Sequence, residues 1–445
     1  MLQQTSPFRN IQNASQAHLR RRASWLFWLN LLMPGSAQLV AGSRAMARIA
    51  LVANAILWTI ALSLAAAALI DLNLALVAVT SPIAVSIAGW LLLAYGILYA
   101  LLGLNTLGLM RLRRLPQRAG LFRGISVLVV TGLLTAGFAS ASSMAREQAS
   151  LISAVFKRTG ITAPSDGRFN ILLLGSDSGS DRYGMRTDSI SVVSLDAISG
   201  DALNIGLPRN LQRVPFSAGS PMANLWPNGY NCGDTCLLNA INTDVMTNHQ
   251  DLYQSSKVTG ISPGLQALKE AVQGVTGLTI TNYLLVDMAG FKDLINALGG
   301  VTIDVKDRLP VGGKLDDGSD ARTHIEPGVQ HMNGTTALWY ARSRHGLNGN
   351  SDYSRMGRQR EVENALIKQV NPMTLLTHFQ AIARAGKRMV RTDISSDMLA
   401  TYVNLALKSH ADGMRTLELV PANGIDVIYP DFSAIQAKIK TKLHG

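Results

Sequence analysis

A chain of 445 residues with 47% hydrophobic and 16% charged side chains is long enough for more than one domain, and its net charge of +12 invites a nucleic-acid reading. The location of that charge excludes it: residues 1–150 hold twelve Arg, no Lys and two acids, whereas the other 295 residues hold 29 basic and 27 acidic side chains. Arginines concentrated between apolar runs belong on the cytoplasmic face of a membrane, not in a groove that follows a phosphodiester backbone, so no nucleic-acid partner is expected.

In chain order, the first apolar run is Trp25–Val40, broken at Pro34-Gly35 and flanked by Arg20, Arg21 and Arg22 before it and Arg44 and Arg48 after it. Both flanks favour the cytoplasm, which points to a re-entrant or interfacial hairpin rather than a span. Ile49–Ile70, Ile83–Leu109 and Ile125–Ala141 are long and apolar enough to cross. Arg111, Arg113, Arg114, Arg118 and Arg123 then lie inside, Asp71 outside, and everything past about residue 145 outside as well. The expected organisation is a membrane domain at 1–145, a linker at 146–168 and an extracytoplasmic domain at 169–445. In that compartment Cys232 and Cys236 suit a disulfide across CGDTC. Two free thiols are the alternative, and zinc lacks a second Cys/His pair nearby.

The outer domain alternates strand and helix. Phe169–Gly175, Ser189–Leu195, Ala202–Leu207, Tyr283–Val286 and Val301–Val305 read as buried strands. Gly264–Val275, Met288–Leu298, Gly334–Tyr340, Asp352–Val370, Thr374–Met389 and Ser396–His410 carry helical spacing. The economical α/β architecture is one sheet covered by helices on both faces.

The chemistry concentrates in two clusters. GSDSGSDRYGMRTDS (Gly175–Ser189), followed by LPRN (Leu207–Asn210), places Asp177 at the carboxyl end of a strand and leads through Arg186 and Asp188 into the next. Carboxyl ends are where α/β sheets build ligand sites. YARSRHGLNGNSDYSRMGRQR (Tyr340–Arg360) ends a helix near Tyr340, so that Arg342 and Arg344 share a face on extended chain. In the next helix Arg355, Arg358 and Gln359 fall in line with apolar Val362 and Leu366. Buried guanidiniums need anionic partners. Asp352 serves one of them, and an external, strongly charged anion is the natural partner of the rest. Carboxylates beside arginine forks suit a metal ion held against phosphate groups. The plainer readings are a capped polar loop and an internal salt-bridge network through Glu361, Glu363 or Asp352.

With these residues in place, the outer domain resembles the LytR-CpsA-Psr family over roughly Phe169 to Val370. The resemblance runs through ILLLGSD, MRTDS, GLPRNL, YLLVDMAGFKDLINALGGVTIDV, PGVQHMNGTTALWYARSR and SDYSRMGRQR. It implies an extracytoplasmic α-β-α sandwich with a central mixed sheet in a bacterial plasma-membrane protein, here following the multi-pass α-helical transmembrane domain read from the apolar runs. The implied activity moves a glycopolymer from a polyprenyl pyrophosphate carrier onto peptidoglycan through a phosphodiester link. Asp177 and Asp188 would hold Mg²⁺, with Mn²⁺ as the alternative. Arg186, Arg209, Arg342, Arg344, Arg355, Arg358 and Gln359 would grip the pyrophosphate, with Asp352 orienting the arginines. Arg186, Arg342 and Asp188 would be catalytic, Asp188 accepting the acceptor hydroxyl's proton. Asn210 stands where many relatives carry Asp, so no role as base or ligand is assigned to it. The membrane region is longer than the single anchor typical of the family.

Met288–Leu298 and Ala365–Val370 are expected to line an apolar tunnel for the lipid. The alternatives are a pyrophosphatase on the same lipid-linked substrate and a non-catalytic carrier-binding or regulatory membrane protein.

Overall fold

The computed structural model describes residues 14–156, 160–177, 186–254, 261–311, 323–344, 352–369 and 390–444. For Asp177, Arg186, Asp188, Met288, Ala289, Asp352, Ile367 and residues 410–412 the backbone alone is described. The chain divides into two compact units, Met1–Ser150 and Leu151–Gly445.

The first unit is helical: α1 (Gln16–Leu32), α2 (Ser36–Ala41), α3 (Arg44–Ile70), α4 (Leu72–Thr80), α5 (Pro82–Met110) and α6 (Gln117–Val155). Among the described residues, three helices are long and apolar enough to cross a membrane: Arg44–Ile70, Pro82–Arg114 and Gln117–Val155. Helix α6 continues to Val155, into the stretch read from the sequence as a linker with a short helix. The Pro34-Gly35 break separates α1 from α2, with Gly35 at φ 96°. Its non-helical backbone is buried and satisfied from within: Asn54 Nδ2 donates to Pro34 O at 2.6 Å, and the Tyr95 hydroxyl donates to Asn54 Oδ1 at 2.5 Å. Gln38, fully buried, donates to Leu102 O and Thr106 Oγ1, both at 3.0 Å. Such partners let non-helical backbone and amide side chains sit inside an apolar bundle.

The second unit is α/β. Its central sheet contains β1 (Arg168–Asp177), β2 (Arg186–Asp196), β3 (Ala202–Leu207), β4 (Asn282–Asp287), β9 (Val390–Thr392) and β10 (Arg415–Glu418) in the order β10-β3-β2-β1-β4-β9. The sheet is mixed: β1–β4 and β3–β10 run parallel, while β1–β2, β2–β3 and β4–β9 run antiparallel. Strand alternation sends Leu172 and Leu174 into one core and Ile171 into another. The first core receives α8 (Ile241–Asn248), α9 (Pro263–Thr276) and α14 (Phe432–His444); the second receives α13 (Leu399–Asp412). Helix α9 shows why its ends fall where they do. Ser262 Oγ accepts from Leu265 N, Pro263 occupies the first turn, and Gly277 closes the helix at φ 70°.

Val301–Val305 does not join this sheet, correcting the single-sheet expectation. As β5 it pairs with β8 (Gly328–Met332), and β6 (Leu309–Val311) pairs with β7 (Thr323–Ile325). Thr302 and Asp304 face solvent while Val301, Ile303 and Val305 are buried, the alternation of a half-exposed antiparallel ribbon. Three helices pack here: α10 (Met288–Ala297), α11 (Gly334–Arg342) and α12 (Asp352–Gln369). The helix expected at Thr374–Met389 lies outside the described residues. Short α7 (Pro221–Leu225) completes the described helices.

Candidate functional site

Because β1, β3, β4 and β10 all point the same way, their carboxyl ends form one edge of the sheet. The β1–β2 register pairs Asp177 with Arg186, Ser176 with Thr187 and Gly175 with Ser189. Asp188 therefore has no residue opposite it and is the extra residue of a β-bulge. Bulges re-aim a side chain and increase local twist. On the other side of β1, Ser176 pairs with Asp287, the last residue of β4. The backbones of Asp177, Arg186, Asp188 and Asp287 thus meet at one corner of the sheet. The side chains of Asp177, Arg186 and Asp188 lie outside the described residues, as does the loop between β1 and β2. Asp287 was missed by sequence reasoning because an aspartate after a strand and before a helix reads as an ordinary cap.

Next to this corner is a cavity of about 260 Å³. Its walls are apolar: Leu173, Leu284 and Val286 from the sheet, Phe291 and Leu294 from α10, Leu338 and Ala341 from α11, and Leu366 from α12. Polar groups enter from Ser189, Asp287, Arg342, Gln359 and Glu363. Gln359 Oε1 is buried and meets no donor among the described residues. Both helices expected to line an apolar tunnel contribute, and α11 and the sheet supply the remaining walls.

Helix α11 begins at Asn333, whose Oδ1 accepts from Thr336 N at 3.0 Å, and it extends through Arg342. This corrects the expected end near Tyr340. Ala337, Tyr340 and Ala341 are buried on one face, so packing carries the helix on until Ser343 turns extended. Arg342 is therefore the last helical residue and reaches the cavity, while Arg344 lies beyond it on non-helical chain.

Helix α12 holds Arg355, Arg358 and Arg360 buried, at 6%, 6% and 3% exposure, which makes three guanidiniums part of the interior. Arg358 has internal partners: Nη1 donates to Ser343 O at 3.0 Å and Nη2 lies 3.7 Å from Asp307 Oδ2. Burial holds its guanidinium below the usual value, opposed by Tyr340 and Asp307. Its ion pair is with Asp307, and Glu361, one of the carboxylates that sequence proximity favoured, also acts on it electrostatically. Arg360, absent from the sequence-derived site, bridges three elements. It pairs with Glu363 on its own helix, donates through Nη2 to Ser189 Oγ at 3.1 Å, and lies 3.4 Å from Glu418 Oε1 of β10. Asn204 Nδ2 donates to Glu363 Oε2 at 2.9 Å. Burial pushes the Glu418 carboxyl up; Arg360 opposes this and Glu363 adds to it. Gly206 makes room for that carboxylate, because a Cβ there would lie 2.1 Å from Glu418 Oε2.

The loop after β3 carries Arg209, half-buried, and Asn210, whose Oδ1 is buried with no donor among the described residues. Cys232 and Cys236 form a disulfide with Cα atoms 5.1 Å apart. The chain leaving it is stitched to the Arg209 loop: Leu238 N donates to Leu211 O at 2.9 Å and Asn239 N to Arg209 O at 3.1 Å. The disulfide thus sits one step from a predicted substrate arginine, a relationship that no local signal encodes.

The sequence profile of the LytR_cpsA_psr family matches residues 129–442. Among characterised proteins, the chain is 27% identical over 286 residues to the polyisoprenyl-teichoic acid–peptidoglycan teichoic acid transferase TagV of Bacillus subtilis, covering 63% of this chain and 65% of that one. It is 27% identical over 286 residues to the cell wall biosynthesis protein LcpA of Corynebacterium glutamicum, covering 59% and 51%. The matched region thus spans between about half and two thirds of the length of these relatives. Among solved structures, the crystal structure of Bacillus subtilis TagV is 23% identical with a TM-score of 0.43, covering 63% of this chain and 98% of that one.

Proposed function

The chain belongs to the LytR_cpsA_psr family, and on that premise we propose that it is a membrane-held phosphotransferase that moves a glycopolymer from a polyprenyl pyrophosphate carrier onto peptidoglycan. The observation that carries this reading is the apolar cavity whose polar groups include Arg342, Gln359 and Asp287, beside the Asp188 bulge. A substrate with an apolar tail and a doubly charged phosphate head asks for that pairing of surfaces.

In this reading the prenyl chain lies among Leu173, Leu284, Phe291, Leu294 and Leu366, and the pyrophosphate rests against Arg342 and Gln359. Arg186, Arg209, Arg344 and Arg355 complete the grip, with Asp352 orienting the arginines at the start of α12. Arg358 acts one step back: by holding Ser343 O it sets the chain that carries Arg342 and Arg344.

The donor chemistry fits a hard cation, since the register brings the backbones of two oxygen-ligand residues, Asp177 and Asp188, to adjoining strand ends beside Asp287. Asp177 and Asp188 would hold Mg²⁺ or Mn²⁺, which when bound neutralises charge on the pyrophosphate. Asp188 is assigned the proton of the attacking acceptor hydroxyl, received on its carboxylate. Arg342 and Arg186 stabilise charge that builds on the bridging oxygen as the lipid phosphate leaves. The arginine distribution of the membrane domain supports an extracytoplasmic placement of this unit.

The test uses the full chain in lipid nanodiscs with a short-chain polyprenyl pyrophosphate saccharide and a peptidoglycan fragment. Lipid monophosphate release and glycan transfer are followed with and without Mg²⁺, beside Asp188→Ala and Arg342→Ala. Metal-dependent transfer that both substitutions abolish sustains the proposal. Release without transfer replaces it with a pyrophosphatase. Binding without turnover in any condition leaves a carrier-binding protein.

A further inference from the structure

Arg213 and Tyr429 stand 216 positions apart in the chain, yet the two side chains meet: the Arg213 guanidinium lies 4.4 Å from the centroid of the Tyr429 ring. Both are held by built turns. Arg213 sits at φ 53°, a left-handed conformation that costs a non-glycine residue of order 1 kcal/mol or more. Its neighbours fix that geometry: Gln212 N donates to Val427 O at 2.9 Å and Tyr230 N to Val214 O at 2.8 Å. Tyr429 is set by Asp426, whose Oδ1 accepts from Ile428 N at 2.8 Å and Tyr429 N at 3.0 Å.

The pair is fixed but unfinished. Tyr429 is 65% exposed, so the ring face opposite the guanidinium is open. Arg213 Nε is buried and meets no acceptor, and its guanidinium has no carboxylate within 4.0 Å among the described residues. Gln212 and Asp234, hydrogen-bonded to each other at 3.4 Å, add polar groups on the adjoining chain. One open aromatic face beside an uncompensated planar cation and flanking amide and carboxylate groups does not suit an apolar partner, which needs a broad contiguous patch. It suits a pyranose ring carrying a carboxylate or phosphate, with C–H groups on the ring face and the anion on the guanidinium fork.

Its place in the fold relates it to the candidate site. The Arg213 loop follows β3 and the Tyr429 loop follows β10, both at the carboxyl edge that also bears Asp177. At about 5 Å per strand, β3 and β10 stand roughly 10 and 15 Å along that edge from β1, within reach of a short oligosaccharide attached at the reacting phosphate.

We infer that Arg213 and Tyr429 form a subsite for an anionic saccharide, engaging a sugar ring of the glycan handled at the adjacent site. This rests on the transferase reading for the identity of that glycan, though binding can be tested without it. The full chain in nanodiscs is titrated by saturation-transfer NMR with a muramic-acid disaccharide and with neutral chitobiose, as wild type, Tyr429→Ala, Tyr429→Phe and Arg213→Asn. The same proteins are assayed for transfer with donor and acceptor varied separately.

The muramic-acid disaccharide is expected to bind about tenfold more weakly to Tyr429→Ala but near normally to Tyr429→Phe. Arg213→Asn, which tolerates the left-handed backbone, is expected to lose the preference for the charged over the neutral disaccharide. A matching rise in KM for the acceptor alone assigns the subsite to peptidoglycan, and a rise for the donor alone assigns it to the donor glycan; both uphold it. Unchanged binding and unchanged KM values in Tyr429→Ala overturn the subsite while leaving the transferase reading intact. Loss of binding in Tyr429→Ala with no turnover even in wild type upholds the subsite and defeats the transferase reading.

Discussion

Arg360 Nη2 donates to Ser189 Oγ at 3.1 Å, and this bond ties the arginine-bearing helix α12 to the strand residue next to the Asp188 bulge. The same guanidinium faces Glu363 and Glu418, so one cation serves two carboxylates in the interior. Removing a single member of a buried ionic cluster leaves uncompensated charge, a loss of about 3–5 kcal/mol. Arg360→Ala is therefore expected to lower the unfolding free energy of the full chain by that order in denaturant titration. Adding Glu418→Gln should recover part of it, a coupling that a double-mutant cycle reads directly. Additive effects of the two substitutions would show that the guanidinium and Glu418 are not energetically paired.

Glu418 also makes stability depend on pH. Burial raises its folded pKa above the ordinary 4.5 despite the nearby Arg360, and Glu363 raises it further. A carboxyl with a raised folded pKa binds more protons folded than unfolded, so its contribution to stability falls as pH rises through that window. Glu418→Gln removes the titrating group. The stability of Glu418→Gln relative to wild type is therefore expected to increase as pH is raised from 4.5 toward neutrality. Parallel stability–pH curves for the two proteins would contradict this.

These pairings explain what the sequence could and could not disclose. The strands β1, β2 and β3 and the helix over Asp352–Gln369 were legible because their signals are local: runs of Ile, Leu and Val between turn residues, and apolar positions at helical spacing. The disulfide was legible as one of two choices because both cysteines lie on one short loop. Strands β9 and β10 were not legible, since VRT and RTLE are short and polar and gain strand structure only from the neighbours they pair with. Of the buried arginines' partners, Glu363 was legible and pairs with Arg360, but the ion-pair partner of Arg358 was not. Glu361 lies three residues from Arg358 and acts on it, but the carboxylate in ion-pair range is Asp307, which arrives from the chain beyond β5. A helix stripe shows which residues are buried; the topology decides what they meet.

Arg358 offers a test of positioning as distinct from substrate contact. Its bond to Ser343 O fixes the chain between Arg342 and Arg344, so Arg358→Ala should displace those groups rather than remove a direct contact. Misplacement of about 1 Å can cost on the order of 100-fold in rate. Turnover is expected to fall by up to that factor, and Asp307→Asn, which weakens the same anchor, should reproduce a smaller part of it. Should Asp307→Asn match wild type while Arg358→Ala abolishes only substrate binding, Arg358 contacts the substrate itself.

The disulfide is expected to act locally. Closing a loop with a sequence separation of 4 constrains little chain, worth about 2 kcal/mol in the loop-entropy account. The chain leaving it, however, donates from Leu238 and Asn239 to the backbone of Leu211 and Arg209. Replacing both cysteines with serine should therefore change the KM for the lipid pyrophosphate more than it changes the melting temperature. A large loss of thermal stability with unaltered kinetics would place the disulfide's role in global folding instead.

The membrane unit carries its own packing rule. Gly89, Gly96 and Gly103 recur every seven residues on α5 and face α6 in reverse order. A Cβ at Gly89 would lie 2.8 Å from Arg146 Cγ, at Gly96 3.0 Å from Phe138 Cβ, and at Gly103 2.9 Å from Thr131 Cβ. A seven-residue repeat keeps one seam facing a neighbour over a long antiparallel contact, and absent side chains let the backbones approach. Gly103 is the tightest point, because Thr131 Cβ cannot swing aside as a flexible side-chain end would. Gly103→Leu is expected to cost about 1–3 kcal/mol through overpacking. The Trp90 indole, which lies under Arg146 at 4.6 Å in the same seam, can report thermal unfolding in nanodiscs by fluorescence against a Trp90→Phe control. Gly103→Ala should show a smaller loss, and Thr131→Gly in that background should restore it by reopening the space. If Gly103→Leu melts like wild type, helices α5 and α6 are not held together along this seam.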